Sequence, residues 1–133
     1  MSATPVVPLY AAALALLFVA LSVRTLRLRR KLPVPLGDGS NPLLLRARRH
    51  ANFAEYVPLG LLLIFFVEAG GASPWIVHAL GACLLLGRVM HALGVSQERE
   101  NSRYRVLGMA LTFTALLTAS ACLALARAMG SSG

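Results

Sequence analysis

Acidic residues are scarce in this sequence, which has 5 Asp and Glu against 13 Lys and Arg. Charged residues of both signs make up only 14% of its 133 positions, whereas a soluble domain carries charge at about a quarter of its positions. Hydrophobic residues reach 57%. The chain is therefore too apolar for an ordinary soluble domain, and we expect a membrane protein.

Cysteine and histidine are also few and scattered. The 2 cysteines, Cys83 and Cys122, lie in separate apolar runs, and the 3 histidines are at positions 50, 78 and 91. No CxxC or HxxxH spacing occurs, so the sequence predicts no metal site and no disulfide framework, and we expect both thiols to be packing residues. A serine nucleophile motif and a glycine-rich phosphate loop are missing as well.

Four apolar runs are present, each near the roughly 20 residues that a membrane-spanning helix needs. They cover residues 6–23, 56–67 with the polar turns before it, 75–93 and 106–126. The sequence predicts one domain over residues 1–133, an all-α bundle of four transmembrane helices. Proline and glycine set the expected limits: Pro42 and Pro74 as first helical residues, Gly70-Gly71 at the end of the second helix and Gly94 as the cap of the third. Pro58 falls inside the second helix, where it predicts a kink.

The positive charge is concentrated at one end of the predicted bundle. All Lys and Arg residues except Arg88 and Arg127 flank the first and third connections. The positive-inside rule places these connections in the cytoplasm and both termini outside. The basic excess thus indicates topology and contact with anionic lipids, and we expect no nucleic-acid partner.

Polar residues from all four helices are predicted at one depth. At 100° per residue, Arg48, Asn52 and Glu55 fall within about 60° of one another on the second helix. We expect Glu55 to pair with Arg88, because either charge alone would be buried without a partner. The surplus cations favour an anionic ligand with carboxylates and one amine. The alternative is that Arg46, Arg48 and Arg49 only anchor lipid headgroups. The polar set is Arg27, Arg48, Asn52, Glu55, Arg88, His91, Arg103, Tyr104 and Arg105.

Five segments, in this order along nearly the whole chain, resemble the MAPEG family (membrane-associated proteins in eicosanoid and glutathione metabolism), in particular its small bacterial branch. The most specific is the Asn-x-x-Glu-x-x-Pro pattern after a basic run. The chain has Ala51, Val95 and Val106 where some family members have polar residues. The segments are Arg27-Leu-Arg29, Gly37-Asp-Gly39, Arg48-Arg-His-Ala-Asn-Phe-Ala-Glu-Tyr-Val-Pro58, Gly87-Arg-Val-Met-His91 and Arg103-Tyr-Arg-Val-Leu-Gly108.

The resemblance implies a homotrimer of four-helix bundles in a bacterial inner membrane, with glutathione between neighbouring subunits near the cytoplasmic face. It also implies that an arginine of the fourth helix lies near the glutathione sulfur. A free thiol has a pKa of about 8.5, and the arginine favours its deprotonated form, the thiolate. Arg105 is the preferred catalytic residue, and Arg103, offset by about 200°, is the competitor. The glutathione-contacting positions that carry over are Arg27, Asn52, Glu55 and His91, with Arg48, Arg88, Arg103 and Tyr104 as further binding residues.

The resemblance therefore predicts a glutathione-dependent transferase or peroxidase that acts on a lipophilic electrophile arriving through the lipid. Which electrophile it is, and whether the chemistry is transfer, peroxide reduction or isomerisation, stays open. One alternative is a non-catalytic member of the same fold that binds lipid or a partner. Another is a small multidrug transporter, but that class needs a carboxylate in the middle of the first helix, and this first helix has none.

Overall fold

The computed structural model describes residues 4–31, 42–96 and 102–130, and four α-helices fill almost all of them. Each helix contains a stretch long and apolar enough to cross a membrane. The predicted bundle of four membrane helices is confirmed. The helices are α1 (Val7–Lys31), α2 (Pro42–Ala69), α3 (Pro74–Ser96) and α4 (Ser102–Gly130). Side chains of residues 28, 29, 31, 42–50, 95 and 96 lie outside the described part.

Proline and glycine set most of the helix limits as predicted. Pro42 and Pro74 are first helical residues, and the Ser73 carbonyl accepts the first hydrogen bonds of α3. After α2 ends, Gly71 takes a φ of 84°, in the left-handed region where a side chain would be strained. The predicted cap at Gly94 is wrong: α3 continues to Ser96, and Gly94 is buried inside the helix.

The backbones of α3 and α4 come close together at two glycines. A Cβ on Gly87 would lie 2.9 Å from the Gly108 carbonyl oxygen, and a Cβ on Gly108 would lie 2.6 Å from the Gly87 carbonyl oxygen. Small residues at such a crossing let two backbones approach closely in a membrane. The buried Thr112 hydroxyl donates to the Gly108 carbonyl at 2.8 Å within α4.

The bundle has two unlike ends. The capped end comprises the first turns of α1 and α3 and the last turns of α2 and α4; the arginine-rich end is the opposite one. At the capped end the Glu68 carboxylate accepts the backbone N–H groups of Val6 and Val7, the latter at 3.2 Å. The Tyr10 hydroxyl lies 3.0 Å from Nδ1 of His78. These contacts fix the start of α1 to α2 and α3.

Apolar side chains face both inward and outward. Leu14, Ile64, Val77 and Leu84 form the centre of the core and are at most 1% exposed. Many other large apolar residues lie on the surface, among them Leu117, which is 71% exposed. Such a continuous apolar exterior on helices of this length is suited to lipid and not to water.

Candidate functional site

The centre of the candidate site is Arg88, which is only 1% exposed. Its Nη1 donates to Oδ1 of Asn52 at 3.0 Å, and its Nη2 donates to Sδ of Met109 at 3.3 Å. Its Nε is buried and has no hydrogen-bond partner among the described residues. Asn52, Arg88 and Met109, called the Arg88 cluster below, therefore join α2, α3 and α4.

The expected ion pair between Glu55 and Arg88 is wrong. Glu55 is exposed, while the contacts recorded for the guanidinium are to Asn52 and Met109. Glu55 lies three residues beyond Asn52, about 4.5 Å farther along α2 and about 60° around it. Asn52 is thus level with Arg88, and an amide oxygen takes the place predicted for a carboxylate. The side-chain acceptors that Arg88 has in the described chain are neutral, so they solvate its charge without cancelling it.

His91 lies one turn from Arg88, towards the arginine-rich end, and is 7% exposed. The glycine contact between α3 and α4 holds it: a Cβ on Gly108 would lie 2.6 Å from the backbone nitrogen of His91 and 2.8 Å from its Cβ. The buried imidazole of His91 therefore lies beside the Arg88 cluster. The sequence predicted this, because Arg88 and His91 are three residues apart and share one face of α3.

The two arginines at the start of α4 differ in position. Arg105 is half-buried, whereas Arg103 is exposed. Arg105 precedes Met109 by four residues, so the two lie on the same face of α4, the face that contacts Arg88. Arg103 is about 200° away from Arg105. Both side chains have interactions of their own, and the helical geometry favours Arg105 as the arginine nearer the cluster.

The other predicted site residues are spread over the surface of the single chain. Arg27 is exposed on α1, and Tyr104 is 41% exposed on α4. Arg48 belongs to α2, but its side chain lies outside the described residues. The chain by itself thus brings Asn52, Arg88 and His91 together, whereas Arg27, Glu55, Arg103 and Tyr104 are exposed on its surface.

Two polar contacts in the structure were not predicted from the sequence. Met109 was not singled out, because a thioether is a weak acceptor and looks like any apolar core residue. Its position four residues after Arg105 was the available signal. The sequence analysis gave His78 no contact, whereas its ring lies near that of Trp75, with centroids 6.5 Å apart, and also contacts Tyr10.

The chemistry that the cluster supports is the binding of an anion. A buried guanidinium with neutral partners, whose Nε–H has no acceptor in the described part of the chain, offers a charge-assisted hydrogen bond to a carboxylate. Arg105 on the adjoining face of α4 adds a second cation at the same end. Glu55, exposed on α2, offers an acceptor for an amine.

Comparison with known proteins gives a consistent result. The model of the MAPEG family matches residues 7–125, which include all of the Arg88 cluster. The protein "Inner membrane protein YecN" of Escherichia coli K12 is 42% identical over 110 residues, or 82% of each chain. The protein of the same name from Escherichia coli O6:H1, strain CFT073, matches to the same extent.

Proposed function

Because the chain belongs to the MAPEG family, we propose that it is a glutathione-dependent transferase or peroxidase of a bacterial inner membrane. The observation that carries this proposal is Arg88, a cation buried among neutral partners whose Nε–H has no acceptor among the described residues. A ligand with a carboxylate at this point would satisfy both the charge and the unpartnered donor. The relatives called inner membrane proteins support the location.

Glutathione has the matching set of groups: two carboxylates, one amine and a thiol. In the proposed complex Arg88 and Arg27 bind the carboxylates, Glu55 accepts from the amine, and Asn52 orients the Arg88 guanidinium. Because Arg27 and Glu55 are exposed in the single chain, the proposed pocket is completed by a second subunit. The remaining proposed contacts are Arg48, His91, Arg103 and Tyr104.

Arg105 is the proposed catalytic residue. A guanidinium beside the glutathione sulfur favours the thiolate, which is the nucleophilic form. In transfer, the thiolate forms a sulfur–carbon bond and the leaving group departs with its bonding electrons. In peroxide reduction, two glutathione molecules are oxidised to the disulfide while a hydroperoxide is reduced to an alcohol and water.

Replacement of Arg105 tests the proposal. In purified protein in detergent, Arg105→Ala is expected to lower kcat/KM for conjugation of chlorodinitrobenzene about a hundredfold, the scale seen when one stabilising donor is removed. Glutathione affinity in calorimetry should change far less, and the ultraviolet absorbance of the bound thiolate should disappear. Arg127→Ala is the matched control, since it removes the same charge from the last turn of α4, at the opposite end of the bundle from the proposed site.

Two results would count against the proposal at different levels. Unchanged turnover in Arg105→Ala would remove this residue from its role and leave the glutathione site intact. No glutathione binding by the unaltered protein at millimolar concentration would reject the enzyme altogether. The second result would favour a non-catalytic member that binds lipid or a partner, in keeping with the apolar residues Ala51 and Val106 at positions that are polar in some family members.

A further inference from the structure

The hydrogen-bond donors of the Arg88 guanidinium have partners of unequal strength. Nη1 donates to Oδ1 of Asn52 at 3.0 Å, and an amide oxygen is a good acceptor. Nη2 donates to Sδ of Met109 at 3.3 Å, and a thioether sulfur is a weak acceptor. Nε has no hydrogen-bond partner among the described residues. The donor capacity of Arg88 is therefore well used at Nη1 and little used at Nη2 and Nε.

The two little-used donors share one edge of the guanidinium. Nη2 is the terminal nitrogen on the same side as the Nε–H group, so one N–H of each points outward along that edge. A carboxylate binds such an edge with both of its oxygens, through two parallel hydrogen bonds. This mode of binding leaves the bond from Nη1 to Asn52 intact. A carboxylate on this edge competes for Nη2 with the sulfur of Met109.

Met109 is placed so that its side chain can move away. The residue before it, Gly108, packs tightly against α3, because a Cβ on Gly108 would lie 2.6 Å from the Gly87 carbonyl oxygen. The backbone at this point of α4 is therefore fixed. The side chain of Met109 is only half-buried, and methionine is unbranched with three rotatable bonds. Its sulfur can leave Nη2 by rotation of the side chain, without a shift of α4.

From this arrangement we infer that the sulfur of Met109 occupies the place of a ligand carboxylate on Arg88, and that glutathione displaces it on binding. The inference rests on the proposed function. It adds to that function the edge of Arg88 that binds the carboxylate and the residue that sets the affinity. Met109 is thus a positioning residue that acts through Arg88.

A thioether is suited to this role because it is an acceptor of intermediate strength. A stronger acceptor at position 109 would keep Nη2 occupied and oppose the ligand. An apolar residue would leave a buried donor unsatisfied in the ligand-free protein. Methionine satisfies Nη2 weakly until the ligand arrives, and the ligand then breaks only a weak bond.

Two substitutions of Met109 should change glutathione affinity in opposite directions. Met109→Gln keeps the length of the side chain and offers an amide oxygen to Nη2. Calorimetry on the full-length protein in detergent should show about tenfold weaker binding, the scale of one hydrogen bond to a charged group. Met109→Leu removes the acceptor and nearly conserves the volume, so binding should be about threefold tighter.

The same substitutions at Met90 are the matched controls. Met90 is also a half-buried methionine, but it lies about 200° from Arg88 around α3. The described contacts of the guanidinium do not include it. Met90→Gln and Met90→Leu should therefore leave glutathione affinity unchanged.

Thermal unfolding of the ligand-free protein separates this role from a packing role. Met109→Leu should lower the unfolding midpoint even though it tightens glutathione binding, because the Nη2 donor is unsatisfied only until the ligand arrives. Loss of packing would lower both the midpoint and the affinity. If Met109→Gln fails to fold, this opposite movement in Met109→Leu still decides the question.

The Nε–H resonance of Arg88 reports directly on the same edge. In the magnetic resonance spectrum of the isotope-labelled protein, it is identified by its absence from Arg88→Lys. It should move when glutathione is added, because Nε then gains a charged acceptor. In Met109→Gln the same movement should need about tenfold more glutathione.

Four results would overturn the inference. Equal affinity in Met109→Gln, Met109→Leu and the unaltered protein would mean that the sulfur is not displaced. Weaker binding in both variants would reduce Met109 to a packing residue. Glutathione binding without movement of the Nε–H resonance would place the carboxylates elsewhere. These three results leave glutathione binding itself standing, whereas no binding by the unaltered protein would reject the proposed function together with the inference.

Discussion

At the scale of single residues, the decisive feature is the way Arg88 is accommodated. A cation that is 1% exposed in an apolar bundle has an amide oxygen and a thioether sulfur as its recorded side-chain partners. Such partners hold the guanidinium in place without neutralising it, because both are uncharged. Burial of Arg88, on which the proposed activity depends, therefore destabilises the fold, and the hydrogen bond to Asn52 offsets much of this destabilisation.

Removal of the Asn52 amide should therefore lower the stability of the fold. Asn52→Leu is expected to lower the free energy of unfolding in detergent by about 1–3 kcal/mol, because the buried donor Nη1 loses its acceptor. Asn52→Asp, which keeps an oxygen at the same place, is the control and should be far less harmful. Chemical unfolding monitored by circular dichroism measures both.

A double-mutant cycle then tests whether the effect passes through Arg88. With Arg88→Met as the second change, the cost of Asn52→Leu should fall well below its value alone, because no guanidinium remains to be satisfied. Additive costs would contradict the coupling that we derive from the hydrogen bond.

The sequence predicted the depth at which the polar residues of this site lie, but not which residue of α2 pairs with Arg88. Spacing alone placed Asn52 and Glu55 on one stripe of α2, and charge alone favoured Glu55 as the partner of Arg88. The register between α2 and α3 selected Asn52, and register depends on how the two helices pack, which periodicity does not encode. The position of His91 beside Arg88 followed from helical spacing and agrees with the described structure, whereas the role of Arg105 was implied by the family resemblance and stays a prediction.

At the scale of helices, the contact between Gly87 and Gly108 sets the geometry of the site. It brings α3 and α4 together between Arg88 and His91, and Met109 follows directly on α4. At Gly94 the sequence rules for helix ends gave a wrong prediction. A glycine near a predicted helix end was interpreted as a cap, whereas the helix continues through it. Pro42, Pro74 and Gly71 act locally through fixed φ or missing N–H groups, so they were predictable.

A methyl group at this contact should separate the two helices. Gly108→Ala places a Cβ 2.6 Å from two backbone atoms, the Gly87 oxygen and the His91 nitrogen, and backbone cannot move aside cheaply. We expect a loss of about 1–3 kcal/mol in unfolding free energy and weaker glutathione binding in calorimetry. Gly130→Ala is the control, because a Cβ there meets nothing within 4 Å. Equal stability of the two variants would contradict the close contact.

At the scale of the whole molecule, the two ends of the bundle have separate roles. The capped end is closed by contacts within the chain, Glu68 with the start of α1 and Tyr10 with His78. The arginine-rich end carries the cluster and leaves Arg27 and Glu55 exposed. The resemblance to the MAPEG family is confirmed by the match over residues 7–125, while the homotrimer and the orientation in the membrane stay predictions.

Orientation can be tested by fusions at the C-terminus. Because all Lys and Arg of the sequence except Arg88 and Arg127 flank the first and third connections, the arginine-rich end should lie in the cytoplasm. A fused alkaline phosphatase should then be active, and a fused green fluorescent protein dark, since the predicted orientation places the C-terminus outside. Fusions after residue 97, in the third connection, are the control and should give the reverse pattern. Fluorescence from the C-terminal fusion would contradict the predicted orientation.

A site shared between subunits predicts complementation in mixed oligomers. If Arg27 of one subunit and Arg105 of its neighbour serve one glutathione, Arg27→Ala and Arg105→Ala should each be inactive alone. In the predicted trimers, every ring that contains both variants would have both arginines intact at roughly a third of its shared sites. Conjugation activity should recover to about that fraction when the variants are coexpressed with different tags and purified through both in succession. Coexpression of two differently tagged Arg105→Ala chains is the control and should recover nothing. If the mixture stays as inactive as this control, both arginines act within one subunit, and the exposure of Arg27 has to be explained without a neighbour.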